Sequence, residues 1–304
     1  MYCSHLCSII LAVGLSFLIS CGNDTTIAEL KRVNPDSMNP TISSTERTDT
    51  AKVLIRIKGS QSLLPLIQMK KNKFLEKQTA VDIKIEGTGS NSGVEALLKD
   101  STDIAISSRP LNLNERIELQ QKDREIHEKI VCLDAIAVVV HKENPIQKLT
   151  LEQIEMIYTG KITNWKQLGG INQTIIVLGR DAASGTRDYF NEKVVNNKKT
   201  VNTLRETDSK EMMTAISHQK NAIGYTGVAY LKNSPLKAVQ VAKQEDEDYF
   251  FPTPENIKNG NYPITRALHF YYFDSAVEKV KPFIDFVLSK EGQDVMLQYG
   301  YTPL

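Results

Sequence analysis

Three times between residues 51 and 129 the chain repeats one unit: a short β-branched run, a loop of glycine or hydroxyl residues, then a stretch that reads as a helix. Residues 51–58 alternate as a strand, Gly59-Ser60-Gln61-Ser62 follows, and residues 63–76 read as a helix. The second unit runs through a strand at 81–86, the loop Gly87-Thr88-Gly89-Ser90-Asn91-Ser92-Gly93 and a helix over 94–98. A buried strand at 103–106, then Ser107-Ser108-Arg109-Pro110, then a charged surface helix over 113–129 complete the third. Strands alternating with helices argue for an open α/β sheet, and such sheets bind ligands beyond the carboxyl ends of their strands. All three polar loops belong on that edge.

A fourth loop has the same character. Residues 175–179 read as a strand, Arg180-Asp181-Ala182-Ala183-Ser184-Gly185-Thr186-Arg187 follows, and residues 188–195 carry apolar positions at helical spacing. A helix start has backbone N–H groups without intrahelical partners and a partial positive charge. Hydroxyls and a guanidinium beside it suit an oxyanion. Read singly, each loop is equally served by an ordinary capped helix and a solvated turn. Four of them at equivalent places in the topology argue for anion binding.

With 304 residues, the chain is long enough for two lobes of roughly 100–150 residues each. Two strongly β-forming runs, 136–141 and 267–273, read as strands crossing between them. On that reading residues 51–138 and 266–304 form one lobe and 139–265 the other; two consecutive domains divided near 145 are the alternative. Thr150-Leu151-Glu152-Gln153 opens a helix with a capping-box pattern. Residues 209–219 read as a helix, 256–262 as turn and loop, and 277–288 and 291–298 as closing helices.

Lys plus Arg total 37 and Asp plus Glu 36, so the formal net charge is +1. That balance argues against a chain-wide nucleic-acid footprint but says nothing against a small positive pocket. Residues 9–19 form an apolar run of signal-peptide length, ending in Leu18-Ile19-Ser20-Cys21-Gly22. The start resembles a bacterial lipoprotein signal, although no Lys or Arg precedes the apolar run. We therefore expect a signal over 1–20, lipid on Cys21, and a polar flexible tether over 21–50. Cys3 and Cys7 would leave with the signal, and Cys132 alone would remain as a small buried hydrophobe.

Enzymatic machinery is not evident in the pattern. The serine-rich loops do not form Gly-x-Ser-x-Gly, and His127, His141, His218 and His269 are scattered without ligand spacing. Gly87 to Gly93 lacks the Gly-Lys-Ser/Thr ending of a nucleotide-binding loop. No catalytic residue, metal or cofactor is expected.

Taken together, the loops at 59–62 and 87–90, Asp103-Ile104-Ala105-Ile106-Ser107-Ser108-Arg109-Pro110-Leu111, Gly179 to Phe190, Tyr158 to Trp165 and the Gly300-Tyr301-Thr302-Pro303-Leu304 end resemble a known family. They are similar to the substrate-binding lipoproteins of bacterial phosphate ABC transporters, in the type 2 periplasmic-binding-protein superfamily. The resemblance covers roughly 51–304. It implies two α/β lobes, each a mixed sheet flanked by helices, with a ligand cleft between them. Ser60, Gln61, Ser62, Ser90, Ser108 and Arg109 would meet inorganic phosphate from one lobe, and Arg180, Ser184, Gly185 and Thr186 from the other. The implied partners are phosphate, the permease subunits of an ABC transporter and the envelope membrane through the lipid; nucleic acid is not among them, and the chain would be a monomer without enzymatic activity. Three positions depart from the family: Gln61 where Thr is frequent, Ala183 where Gly is frequent, and Ser108 where some members place an acidic acceptor for the proton of phosphate. The last leaves open another tetrahedral oxyanion such as sulfate. From other functional classes, a phosphoester hydrolase or an adhesion or scaffold protein on the same fold is the alternative.

Overall fold

The computed structural model describes residues 52–304, apart from 123, 202–204 and 233. The signal, Cys21 and the tether expected before them lie outside the described residues. The repeated unit folds as β1 (Val53–Gly59), α1 (Leu64–Leu75), β2 (Val81–Glu86), α2 (Ser90–Leu98), β3 (Ile104–Ser107) and α3 (Leu113–Gln120). The long β4 (Ile126–His141) leads to β5 (Lys148–Thr150), α4 (Leu151–Tyr158), β6 (Ile176–Arg180), α5 (Gly185–Lys193), β7 (Arg205–Thr207), α6 (Ser209–His218) and β8 (Ala222–Gly227). Then come β9 (Leu236–Ala238), β10 (Gln240–Ala242), α7 (Pro254–Lys258), β11 (Thr265–Phe273), α8 (Val277–Leu288) and α9 (Lys290–Asp294).

The main sheet runs β2-β1-β3-β11-β4-β8-β6-β7, with β9 also on β4; β5 and β10 pair separately. β1 is parallel to both β2 and β3, and β6 is parallel to both β7 and β8. The strand order therefore reverses beside β1 in one part and beside β6 in the other. At such switch points the loops diverge and open a crevice. The antiparallel strands β4 and β11 join the parts. β4 pairs with β11 up to Ala135 and with β8 from Ile136 onward.

Packing follows the strand period of two. In β4, Ile136, Val138 and Val140 enter a core with Ile154, Tyr158, Trp165 and Phe190, while Ala137 and Val139 face Met212 and Ile216 of α6. In β11, Leu268 and Phe270 pack with Ile57, Leu66, Val280 and Phe283, while Tyr271 and Phe273 pack with Val94 and Leu97 of α2. Both faces are thus covered, which is the two-lobe, mixed α/β periplasmic-binding-protein fold.

Three local expectations are corrected. The helix over 113–129 stops at Gln120, and residues 126–135 instead pair with β11. α2 begins at Ser90 rather than near 94, so Ser90 to Gly93 form its first turn. A helix over Pro254–Lys258 takes in residues 256–258, the start of the stretch expected as turn and loop, because Thr253 Oγ1 accepts from Asn256 N at 3.2 Å and Pro254 suits a first helical position. No described helix is long and apolar enough to cross a membrane.

Candidate functional site

The loop after β1 turns at Gly59, whose φ is +139°. Ser60 Oγ accepts from Ser62 N at 3.2 Å and opens a 3-10 turn, Gln61–Leu63, that runs into α1. Tyr301 Oη donates to Ser62 O at 2.6 Å and Tyr230 Oη to Gln61 O at 2.8 Å, fixing this backbone from two sides. The start of α2 lies beside it. Ser90 Oγ accepts from Ser108 N at 3.1 Å and sits 3.2 Å from Ser108 Oγ, so the loops after β2 and β3 are tied together.

From the other lobe, β6 ends at Arg180 and Ser184 caps α5, its Oγ accepting from Arg187 N at 3.3 Å. Gly185 is the closest approach. A Cβ there would lie 2.2 Å from Ser90 Oγ and 3.1 Å from Ser108 Oγ, so only glycine lets α5 reach the start of α2. Thr186 Oγ1 is 3.0 Å from Ser62 Oγ. Three helix starts and the hydroxyls of Ser62, Ser90, Ser108, Ser184 and Thr186 therefore converge, all of them buried. Such a place offers donors from backbone and side chain to an anion.

Charge is distributed unevenly around it. Arg180 is 1% exposed. Its Nε donates to Thr207 O at 3.3 Å and its Nη2 to Gln61 Oε1 at 2.7 Å, while Nη1 has no partner among the described residues. Among the described residues its one carboxylate neighbour within reach is the half-exposed Asp181, at 4.0 Å. Burial pushes the Arg180 pKa down, which is the signature of a cation short of a counter-charge.

Arg109 behaves otherwise than expected. Its Nε donates to Asp188 Oδ2 at 2.9 Å and to Asn91 Oδ1, its Nη1 to Pro110 O and Glu115 Oε2, its Nη2 to Glu115 Oε1 at 2.6 Å and Asn91 Oδ1. Every N–H of the guanidinium is engaged, which leaves none for a ligand. Burial opposes its charge, but Glu115 and Asp188 outweigh burial and raise its pKa. Because Asp188 is on α5, Arg109 is a strap between the lobes.

Sequence reasoning missed a second buried pair. Arg266 on β11 lies directly across from Asp134 on β4. Its Nε and Nη2 donate to Asp134 Oδ2 at 3.0 and 2.8 Å, and both side chains are at most 1% exposed. The same guanidinium reaches Thr186 Oγ1 through Nη1 and Ser62 Oγ through Nη2, each at 3.0 Å. The available signal was two opposite charges one or two residues before the two apolar crossing runs, where charge is not expected unless paired.

A profile of the PBP superfamily domain matches residues 39–291. The phosphate-binding protein PstS of Pseudomonas aeruginosa is 30% identical over 267 residues, covering 81% of each chain. This chain belongs to the PstS branch of the PBP superfamily. PstS of Bacillus subtilis is 26% identical over 97% of this chain and 92% of its own. Among solved structures, a substrate-binding protein from Clostridium perfringens, assigned to a phosphate ABC transporter and determined with bound phosphate, is 34% identical with a TM-score of 0.75. The match takes in 83% of this chain and 99% of that one. An ABC-type phosphate transport receptor from Vibrio cholerae is 31% identical with a TM-score of 0.67, over 82% and 100% of the two chains.

Proposed function

We propose that this protein binds inorganic phosphate between its lobes and delivers it to the permease of an ABC transporter. The observation that carries the reading is Arg180: a buried guanidinium that, among the described residues, has an unpartnered Nη1 and no close carboxylate, at a junction of three helix starts. Such a cation is costly until an anion joins it. Ser62, Ser90, Ser108, Ser184 and Thr186 supply hydroxyls, and Gln61, Gly185 and Thr186 supply backbone N–H groups at the helix starts that Ser60 and Ser184 cap. Residues 51–138 with 266–304 act as one lobe and 139–265 as the other, with Arg109 as a closing strap rather than a ligand. Its relatives bear the names of binding and transport proteins, and no covalent step is assigned. The chain works after export, as a monomer held to the envelope by lipid on Cys21.

A second reading, sulfate or another tetrahedral oxyanion, is favoured by one observation. Among the described residues, no carboxylate accepts a hydrogen bond from Ser62, Ser90, Ser108 or Thr186. Without such an acceptor the repulsion that rejects sulfate is weakened. Calorimetric titration of phosphate-stripped protein tests both. Phosphate is expected to bind at micromolar concentration or tighter; silence with phosphate and binding of sulfate would overturn the first reading.

A further inference from the structure

Arg266 touches one hydroxyl from each side of the cleft while its charge is already matched. Ser62 lies after β1, Thr186 lies in α5, and the guanidinium donates to both at 3.0 Å. Asp134 takes two further N–H groups of the same guanidinium. Gly227 closes over the pair, since a Cβ there would lie 3.3 Å from Asp134 Oδ2. A guanidinium has donors and no acceptor, so Ser62 Oγ and Thr186 Oγ1 must both accept from it. Each hydroxyl then keeps its own proton and one of its two lone pairs. The two hydroxyls are 3.0 Å apart and can make one bond between themselves, which leaves at least one proton to be given elsewhere.

We propose that Arg266, neutralised by Asp134, is a positioning residue that takes one lone pair from each of the Ser62 and Thr186 hydroxyls and thereby biases them toward donating, so that the cleft favours ligand oxygens carrying no proton. This rests on the phosphate reading and extends it to the protonation state of the ligand. Arg180 supplies the charge; Arg266 supplies hydrogen-bond polarity. Once freed, each hydroxyl regains a second lone pair with which to accept from a protonated phosphate oxygen.

The test is calorimetry with phosphate at about pH 5.5 and about pH 8, on either side of a phosphate ionisation, and with sulfate. Arg266→Met strands a buried carboxylate and can unfold the chain, so the decisive variant is the paired Asp134→Leu/Arg266→Met, which removes both charges. Thermal unfolding checks that it is folded. The paired variant is expected to lose about tenfold or more in affinity for phosphate at the higher pH and for sulfate, but about threefold or less for phosphate at the lower pH. An equal loss in all three titrations indicates a merely structural role and overturns the proposal, as does no loss in a folded variant. If the wild type does not bind phosphate, the phosphate reading fails by itself, and the sulfate arm decides the role of Arg266: an unchanged sulfate affinity overturns it.

Discussion

Two buried arginines meet the cleft and differ in what surrounds them. Among the described residues Arg266 has a carboxylate at 2.8 Å, whereas Arg180 has only one at 4.0 Å that is partly in water. The contrast separates the residue that needs an anion from the one that does not. Arg180→Met is expected to cost about 2 kcal/mol or more of phosphate binding, roughly 30-fold. The same change should leave the ligand-free melting temperature unchanged or raised, because an unmatched buried charge is removed. Calorimetry and thermal unfolding read the two effects apart. Gly185→Ala adds a methyl group 2.2 Å from Ser90 Oγ, so the lobes are expected to stop short of their present contact, with phosphate affinity falling by about tenfold or more in a titration. Arg180, Ser184, Gly185 and Thr186 were legible because their residue types cluster where a strand meets a helix. Arg266 and Asp134 were not, because each is one charge in an apolar strand, and only the pairing of distant strands brings them together. Arg109 misled in the opposite way: its loop does reach the junction of the lobes, but Glu115 six residues on and Asp188 on the other lobe claim its donors.

At the scale of elements, helix starts were the clearest text. Thr150 and Gln153 make the reciprocal capping bonds, Gln153 N to Thr150 Oγ1 at 3.1 Å and Thr150 N to Gln153 Oε1 at 3.0 Å, as the four-residue pattern suggests. The first half of β4 was opaque because Glu128, Lys129 and Ile130 are all exposed, so the stretch shows no alternation to mark a strand. The strap between α5 and the loop after β3 can be weighed directly. Asp188→Asn removes the charge that Arg109 meets across the lobes, and Asp188 is partly exposed, so a loss of about 0.5–1 kcal/mol of phosphate affinity is expected in calorimetry. A second device lies between α1 and α9, where buried Lys70 donates from Nζ to Gly292 O. Burial, with help from Lys73, lowers the Lys70 pKa to about 8, against the opposing pull of Cys132 and Glu291. The unfolded chain then binds more protons than the folded one between about pH 8 and about pH 10.4, and stability rises with pH across that window. Urea unfolding through this range should show the rise in the wild type and a flatter profile in Lys70→Met.

Over the whole molecule, the two lobes are joined by β4 and β11, and the candidate site uses groups from both lobes and from those strands. The repeated strand–loop–helix unit made the α/β class readable, because period and loop chemistry agree in each copy. The place where β4 changes partners depends on pairing between strands more than eighty residues apart, which no local pattern encodes. A ligand that binds between lobes stabilises the assembled molecule, so unfolding should shift with phosphate concentration by about 2.7 kcal/mol at a hundred times the dissociation constant. The central claim is that one oxyanion is shared by Arg180 and the hydroxyls of both lobes, and a crystal structure determined with phosphate tests it most directly. The account predicts tetrahedral density within hydrogen-bond distance of Arg180 and of the loops at 60–62 and 184–186. Phosphate density away from Arg180, or bound by one lobe alone, would contradict it.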